Sequence, residues 1–222
     1  MPADGASRLA AFACREGLTS HNVLLATLQA LLHRVSGQAD LVVGVPVAGR
    51  TDRQRAEHVG YLVNTLPIRS VWQREGFDVF ARATQRRVLD ALDHQELPLL
   101  LLAGRLDADR ESGAPLVFQA MFSHYTRALP GGADAAGLVL GDPSAALPLG
   151  DGQLRAHPVP DPTAQTDIAL NVAELPDGLE CGLQYDSALL PRAQARQFVT
   201  AYLAMLTALA DDPGADGHGF RC

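Results

Sequence analysis

The sequence predicts an α+β fold in which helices pack on a mixed β-sheet. Three observations carry it. Apolar residues recur at helical spacing near the beginning, in the middle and at the end of the chain, and the stretches between them read as strands. Leu41–Val47 is a short continuous apolar run of the kind found in buried strands. Residues 167–173 and 179–185 alternate in polarity and are joined by Pro176-Asp177-Gly178, a turn of hairpin composition.

Taken in order, the Ala-rich stretch from about Ser7 forms a short helix that Gly17 ends. Thr19 or Ser20 caps a stronger helix over 20–36, with Leu24, Leu28, Leu31, Leu32 and Val35 on its apolar side and Ser36-Gly37 as its stop. His21 and His33 ride on this helix as cap-region or surface residues. A buried strand follows at Leu41–Val47, then the polar connector Gly49-Arg50-Thr51-Asp52-Arg53. Val59 to Arg69 reads as a strand with both faces covered, because apolar residues fall on both parities. Two residues depart from a plain core strand there. Asn64 shares a face with Leu62, Leu66 and Ile68, so its amide needs partners, and Pro67 marks an edge, a bulge or an end.

Phe77 to Leu92 is a second strong helix, and Pro98 stands near the start of a third. Pro115 to Tyr125 reads as a strand. The stretch 128–152 is rich in Gly, Pro, Ala and Asp and reads as a long loop with a short strand at Leu138–Leu140. Leu154–Val159 is a further candidate strand. After the hairpin, Leu190-Pro191 opens a last helix with Phe198, Val199, Tyr202, Leu206 and Leu209 as its apolar stripe, and Asp211-Asp212-Pro213-Gly214 ends it.

The bulk numbers exclude several functions. A chain of 222 residues with 47% hydrophobic and 19% charged residues is an ordinary globular composition. The net charge of −7 and the scattered arginines argue against nucleic acid or an anionic membrane as partner. No apolar run reaches membrane-spanning length, and residues 1–8 have no apolar core of leader type. Cys14, Cys181 and Cys222 are odd in number and far apart, which suggests neither a zinc site nor a disulfide framework and fits reduced thiols in a cytoplasm. GxSxG, HExxH and a phosphate-cradling Gly-rich loop are absent, and none of the seven histidines has a paired or metal-ligand spacing. No metal is expected.

The order of short motifs says more than any one of them. Leu18-Thr19 through Arg50, Val59 to Arg69, His94-Gln95-Glu96-Leu97-Pro98-Leu99, Ser112 to Phe122, Thr166 to Leu170 and Gly182 to Leu190 follow one another over about residues 8–210. In that order the chain resembles the condensation domains of non-ribosomal peptide synthetases. The second stretch looks like that family's "VGxFVNTLxxR", the third like "HQDxPFE", the fourth like "SRxPLFQVMF", and the last two like "FDL" and "GxxxYxxxLF". The chain departs from the pattern at Gly113 for arginine, Glu96 for aspartate, and Leu99-Leu100 for Phe-Glu.

The resemblance implies a chloramphenicol-acetyltransferase-like fold of two similar lobes. The family's "HHxxxDG" motif, whose second histidine positions or deprotonates the attacking amine, belongs to the N-terminal lobe and has no counterpart here. The chain therefore looks like the C-terminal lobe over residues 1–210, with a disordered tail at 211–222. The implied chemistry is amide formation between aminoacyl or peptidyl groups delivered on phosphopantetheine arms. No cofactor is bound directly, and activity is expected only when the other lobe is present. Carrier proteins, an N-terminal lobe and adenylation-domain neighbours are the implied partners. Asn64 and Thr65 are the candidate tunnel-wall residues, and Arg50, Gly60, Arg69, His94, Pro98 and Gln119 are structural motif positions. A carrier-docking module without chemistry, or a remnant of a truncated synthetase gene, are the alternatives.

Overall fold

A computed structural model describes residues 1–50, 58–73, 76–106, 117–126, 133–157 and 164–211. The chain builds a five-stranded mixed sheet with strands β1 (Asp40–Val47), β2 (Asn64–Val71), β3 (Ala120–Tyr125), β6 (Ile168–Leu175) and β7 (Gly178–Tyr185). Their order is β2-β1-β3-β6-β7, with β1, β3 and β6 parallel to one another and β2 and β7 antiparallel at the two edges. A small antiparallel pair, β4 (Ala146–Leu149) and β5 (Gly152–Arg155), stands apart.

Helices α1 (Ala3–Arg15), α2 (Ser20–Ser36), α3 (Phe77–Leu92) and α6 (Arg192–Asp211) form one layer over the sheet. The main core lies between that layer and Val43, Val45, Leu66, Ile68, Phe122, Leu170 and Val172. The short α4 (Leu99–Arg105) sits against β2, and helix α5 (Ala133–Leu140) packs on β6 from the opposite face.

Local chemistry explains the boundaries. The Thr19 hydroxyl accepts from the Asn22 amide and caps α2, and Gly37 ends it at φ 70°, a left-handed conformation that suits glycine. Gln85 of α3 holds the entry to α2 by accepting from the Thr19 amide and the Asn22 side chain while donating to the Gly17 carbonyl. Deeper in the core, Thr84 donates to Gln29, whose amide donates to the Ile68 carbonyl, so buried polar groups are paired across α2, α3 and β2. The Tyr202 hydroxyl of α6 donates to the Leu24 carbonyl of α2.

The structure corrects several expectations. The strand predicted over Val59–Arg69 begins only at Asn64; Val59, Tyr61 and Val63 are exposed. Burial in β2 alternates, with Leu66, Ile68 and Ser70 inside and Arg69 outside, so only one face is covered by the helix layer. The apolar residues of the other parity belong to a loop rather than to a second buried face. Helix α1 starts at Ala3, four residues before the predicted start. The stretch read as a loop with a strand at Leu138–Leu140 contains α5 there and β4 after it. A Cβ added at Gly137 would stand 2.8 Å from that of Ala145, a close approach of helix and loop that composition alone disguises. β5 ends at Arg155, and the strand predicted from Pro115 begins at Ala120, residues 117–119 lying outside it. His33 is buried, not at the surface, and His21 is half-buried. Asp211, the first residue of the predicted tail, belongs to α6. Residues 212–222, the end of the connector at 51–53, and the motif positions 112–116 lie outside the described residues.

Pro67 meets expectation. It lies in the edge strand opposite Gly44, where a missing N–H disturbs no second ladder.

Candidate functional site

The first residues of β2 lie opposite the last residues of β1, with Asn64 facing Val47 and Thr65 facing Pro46. The chain leaves β1 through Gly49, at φ 64°, and a Cβ there would stand 2.0 Å from the Leu62 carbonyl oxygen. Glycine is therefore required twice over, by its backbone angle and by the close approach. The Arg50 guanidinium donates to the His58 carbonyl at 2.7 Å and binds the two ends of this connection together.

Asn64 ties β2 to the turn between α3 and α4. Its Nδ2 donates to the Gln95 carbonyl at 2.9 Å and to the Leu97 carbonyl at 2.8 Å, and its Oδ1 accepts from the Leu99 amide at 3.2 Å. Both halves of the side-chain amide are used, which satisfies the polar group that the sequence places on an apolar face. Leu99 is the first residue of α4, so Asn64 also occupies one of the amides left unpaired at that helix start. Pro98 precedes α4 as its N-cap, and the His94 ring donates from Nδ1 to the Asp90 carbonyl, 2.8 Å away, so both stabilise the same turn.

These positions gather at one end of the sheet: Asn64, Thr65, Arg50, Gly60, His94 and Pro98 belong to β2's start and the two segments beside it. The other two candidates lie elsewhere. Arg69 is five residues along β2, about 17 Å for extended chain. There it makes a bidentate pair with Asp40 at the start of β1, with Nε at 2.9 Å and Nη2 at 2.6 Å. This hydrogen-bonded pairing lowers the Asp40 pKa and raises that of Arg69. Gln119 is exposed just before β3, and its carbonyl accepts from the Ile168 amide. The eight positions thus divide into a cluster around Asn64 and two strand-pairing contacts.

An apolar surface surrounds the cluster. Val59, Tyr61 and Val63 on one segment and Leu97, Leu100, Leu101 and Leu106 on the other are exposed. Asn64 holds the two segments next to each other. Sequence reasoning singled out Asn64 but missed Gly49, whose only signal was a glycine in a polar connector. It also missed His124 and Glu174, whose signal was parity: His124 shares a face with Ala120 and Phe122. Among the described residues no group of His, Cys, Asp or Glu is arranged to hold a metal ion, and no helix is long and apolar enough to cross a membrane.

Comparison with known proteins bears on this geometry. The family model "Condensation domain" matches residues 1–217. The chain is 31% identical over 214 residues to one of the linear gramicidin synthase subunits of Brevibacillus parabrevis, covering 96% of this chain and 3% of that protein. It is 33% identical over 212 residues to the phosphinothricin tripeptide synthetase PhsB of Streptomyces viridochromogenes, covering 95% of this chain and 17% of that one. Among solved structures it superposes on holo-AB3403, a four-domain non-ribosomal peptide synthetase, with a TM-score of 0.85 at 25% identity, over 96% of this chain and 16% of that chain. It also superposes on the X-domain from teicoplanin biosynthesis, with a TM-score of 0.80 at 20% identity, over 97% of this chain and 46% of that one. The fold is that of these chloramphenicol-acetyltransferase-like structures, and the chain spans a small fraction of the curated relatives it matches.

Proposed function

This chain belongs to the condensation-domain family, and from that premise we propose that it is the C-terminal lobe of a peptide-synthetase condensation domain, supplying one wall of a site completed by a second lobe. The observation that carries the reading is the extent of the match. Nearly all of this chain corresponds to 46% of a condensation domain and 46% of an X-domain. The missing half would have a place to dock: the apolar residues exposed on 59–63 and 97–106 form a surface of the kind that marks an interface.

In the reaction, the amine nitrogen of one carrier-bound aminoacyl group attacks the thioester carbonyl of another. The C–N bond forms, the C–S bond breaks, and the amine proton leaves as the sulfur departs as thiol. General-base help in such a step is worth about 10²–10⁴. Holding the two reactants in line removes a further entropic barrier. This chain contains no HHxxxDG and contributes positioning, not the base. Asn64 acts here through the 95–99 turn that it fixes, and Thr65, half-exposed on the neighbouring parity, lines the wall beside it. The phosphopantetheine arms of carrier proteins bring the substrates, so the lobe needs no cofactor of its own.

The test is reconstitution. A lobe containing HHxxxDG, made separately or joined in frame, is mixed with this chain and with two loaded carrier proteins. Amide product is expected from the mixture and not from either half. Carrier binding in calorimetry without product in any combination would leave a docking module instead, and the absence of lobe association would overturn the shared-site reading.

A further inference from the structure

Three residues far apart in the chain meet on the helix side of the sheet, at the carboxyl end of its parallel strands. His21 stands in the first turn of α2, His124 near the end of β3 and Glu174 near the end of β6. The two imidazoles have centroids 5.8 Å apart at an interplanar angle of 32°. His21 also packs edge-on against Phe122 at 5.4 Å. The His124 side chain is 2% exposed, and its Nε2 lies 3.2 Å from Glu174 Oε1. Neither ring nitrogen of His124 makes a well-directed hydrogen bond within the protein, so this contact is a charge contact in waiting rather than an anchored bond. A cleft of about 290 Å³ opens beside the cluster, with Ser20 and Glu174 in its wall opposite Ala6, Ser7 and Ala10 of α1. It gives solvent protons a path to the carboxylate.

We propose that His21, His124 and Glu174 form an acid-sensitive latch: while neutral, the imidazole pair seats the first turn of α2 on β3, and when charged it drives that turn off the sheet. The geometry supplies the asymmetry. Two neutral rings pack here like apolar side chains. Two charged rings would sit about 6 Å apart in a poorly solvated place, where like charges repel far more strongly than in water. Glu174 can offset one charge, not both. The facing groups are His21 from α2, His124 from β3 and Glu174 from β6; among the described residues α1 and β7 bring no titratable side chain to the cleft. Burial, and then the neighbouring His124, push the His21 pKa down to about 4. Burial also lowers the His124 pKa, against the opposing pull of Glu174.

A histidine whose folded pKa is depressed binds fewer protons folded than unfolded. Its stabilisation is therefore present above its ordinary pKa and is lost as pH falls from there towards the folded value. Between pH 7.5 and pH 4.5 the unfolding equilibrium constant of the chain is expected to rise by roughly ten- to a hundredfold through this cluster. Denaturant unfolding of the full chain at those two pH values, compared with His21→Phe and His124→Leu, is the experiment. Each variant should lose part of that rise and the double variant most of it; a pH dependence in the double variant equal to the unsubstituted chain's would overturn the proposal. Should a variant not fold, hydrogen exchange on the unsubstituted chain decides. On acidification, amides at 20–25 and 122–125 should open before those of α6, and simultaneous opening of all three would refute the latch.

Discussion

Asn64 shows how one side chain can turn an edge strand into a platform. Its three hydrogen bonds hold the 95–99 turn, and Asn64→Ala leaves the Leu99 amide and two carbonyls without their partner. The expected loss is about 1–3 kcal/mol in denaturant unfolding, with faster hydrogen exchange at Leu99 and little change in α1 or α6. Gly49→Ala meets both a left-handed backbone and the Leu62 oxygen, and should cost about 1–3 kcal/mol. Its effect should fall on loop 58–63, seen as altered proteolysis there. At His33, Nδ1 faces the Gln38 carbonyl at 2.6 Å and so carries the proton, which leaves Nε2 to accept from Ser70 Oγ at 3.0 Å. Burial lowers the pKa of this ring despite its bond to the Gln38 carbonyl. The sign matches that of the His21 pair, so His33 adds an acid dependence of its own, which His21→Phe and His124→Leu leave in place.

At the scale of elements, the helix layer is fixed by a few polar contacts set into apolar packing. The Tyr202 hydroxyl is the tie between α6 and α2 across most of the chain's length. Tyr202→Phe retains the ring in its buried place but leaves the Leu24 carbonyl, which still accepts within α2, without its second donor. A loss of about 0.5–1.5 kcal/mol is expected from thermal or denaturant unfolding, with the sheet unchanged. On the other face, β1 passes under Phe118 at Gly44, where a Cβ would stand 2.4 Å from the ring. Gly44→Ala must push the ring aside at about 1–3 kcal/mol. Helix α5 closes the β6 side of that face with Ala136 and Gly137. Small residues there let the helix close onto Ala145, and the same small residues made the segment look like a loop in the sequence.

For the whole molecule, the proposed reading is of a half-site whose exposed apolar residues at 59–63 and 97–106 a second lobe would cover. If the surface at 59–63 and 97–106 receives the second lobe, Leu100→Glu combined with Leu101→Glu should abolish lobe association in calorimetry. Both side chains are exposed, so the same double variant should leave the unfolding midpoint of the isolated chain nearly unchanged. A double variant that still binds the second lobe with unchanged affinity would place the interface elsewhere.

The sequence by itself determined the α+β class, the hairpin at Pro176–Gly178, the stop of α2 and the family likeness, and it narrowed the cap of α2 to Thr19 or Ser20 and Pro67 to an edge, a bulge or a strand end. All of these are written in local periods, turn chemistry or motif order. Tertiary structure decided the rest. Whether Val59–Val63 was strand or exposed loop depended on what lay across from it, because apolar alternation looks the same in both. Which of the motif positions share a site depended on strand register, which gathers Asn64 with Pro98 and sends Arg69 to Asp40. That His21, His124 and Glu174 meet at all depended on parallel pairing of β3 with β6 under the start of α2, contacts between residues some fifty to a hundred and fifty positions apart that no local pattern encodes.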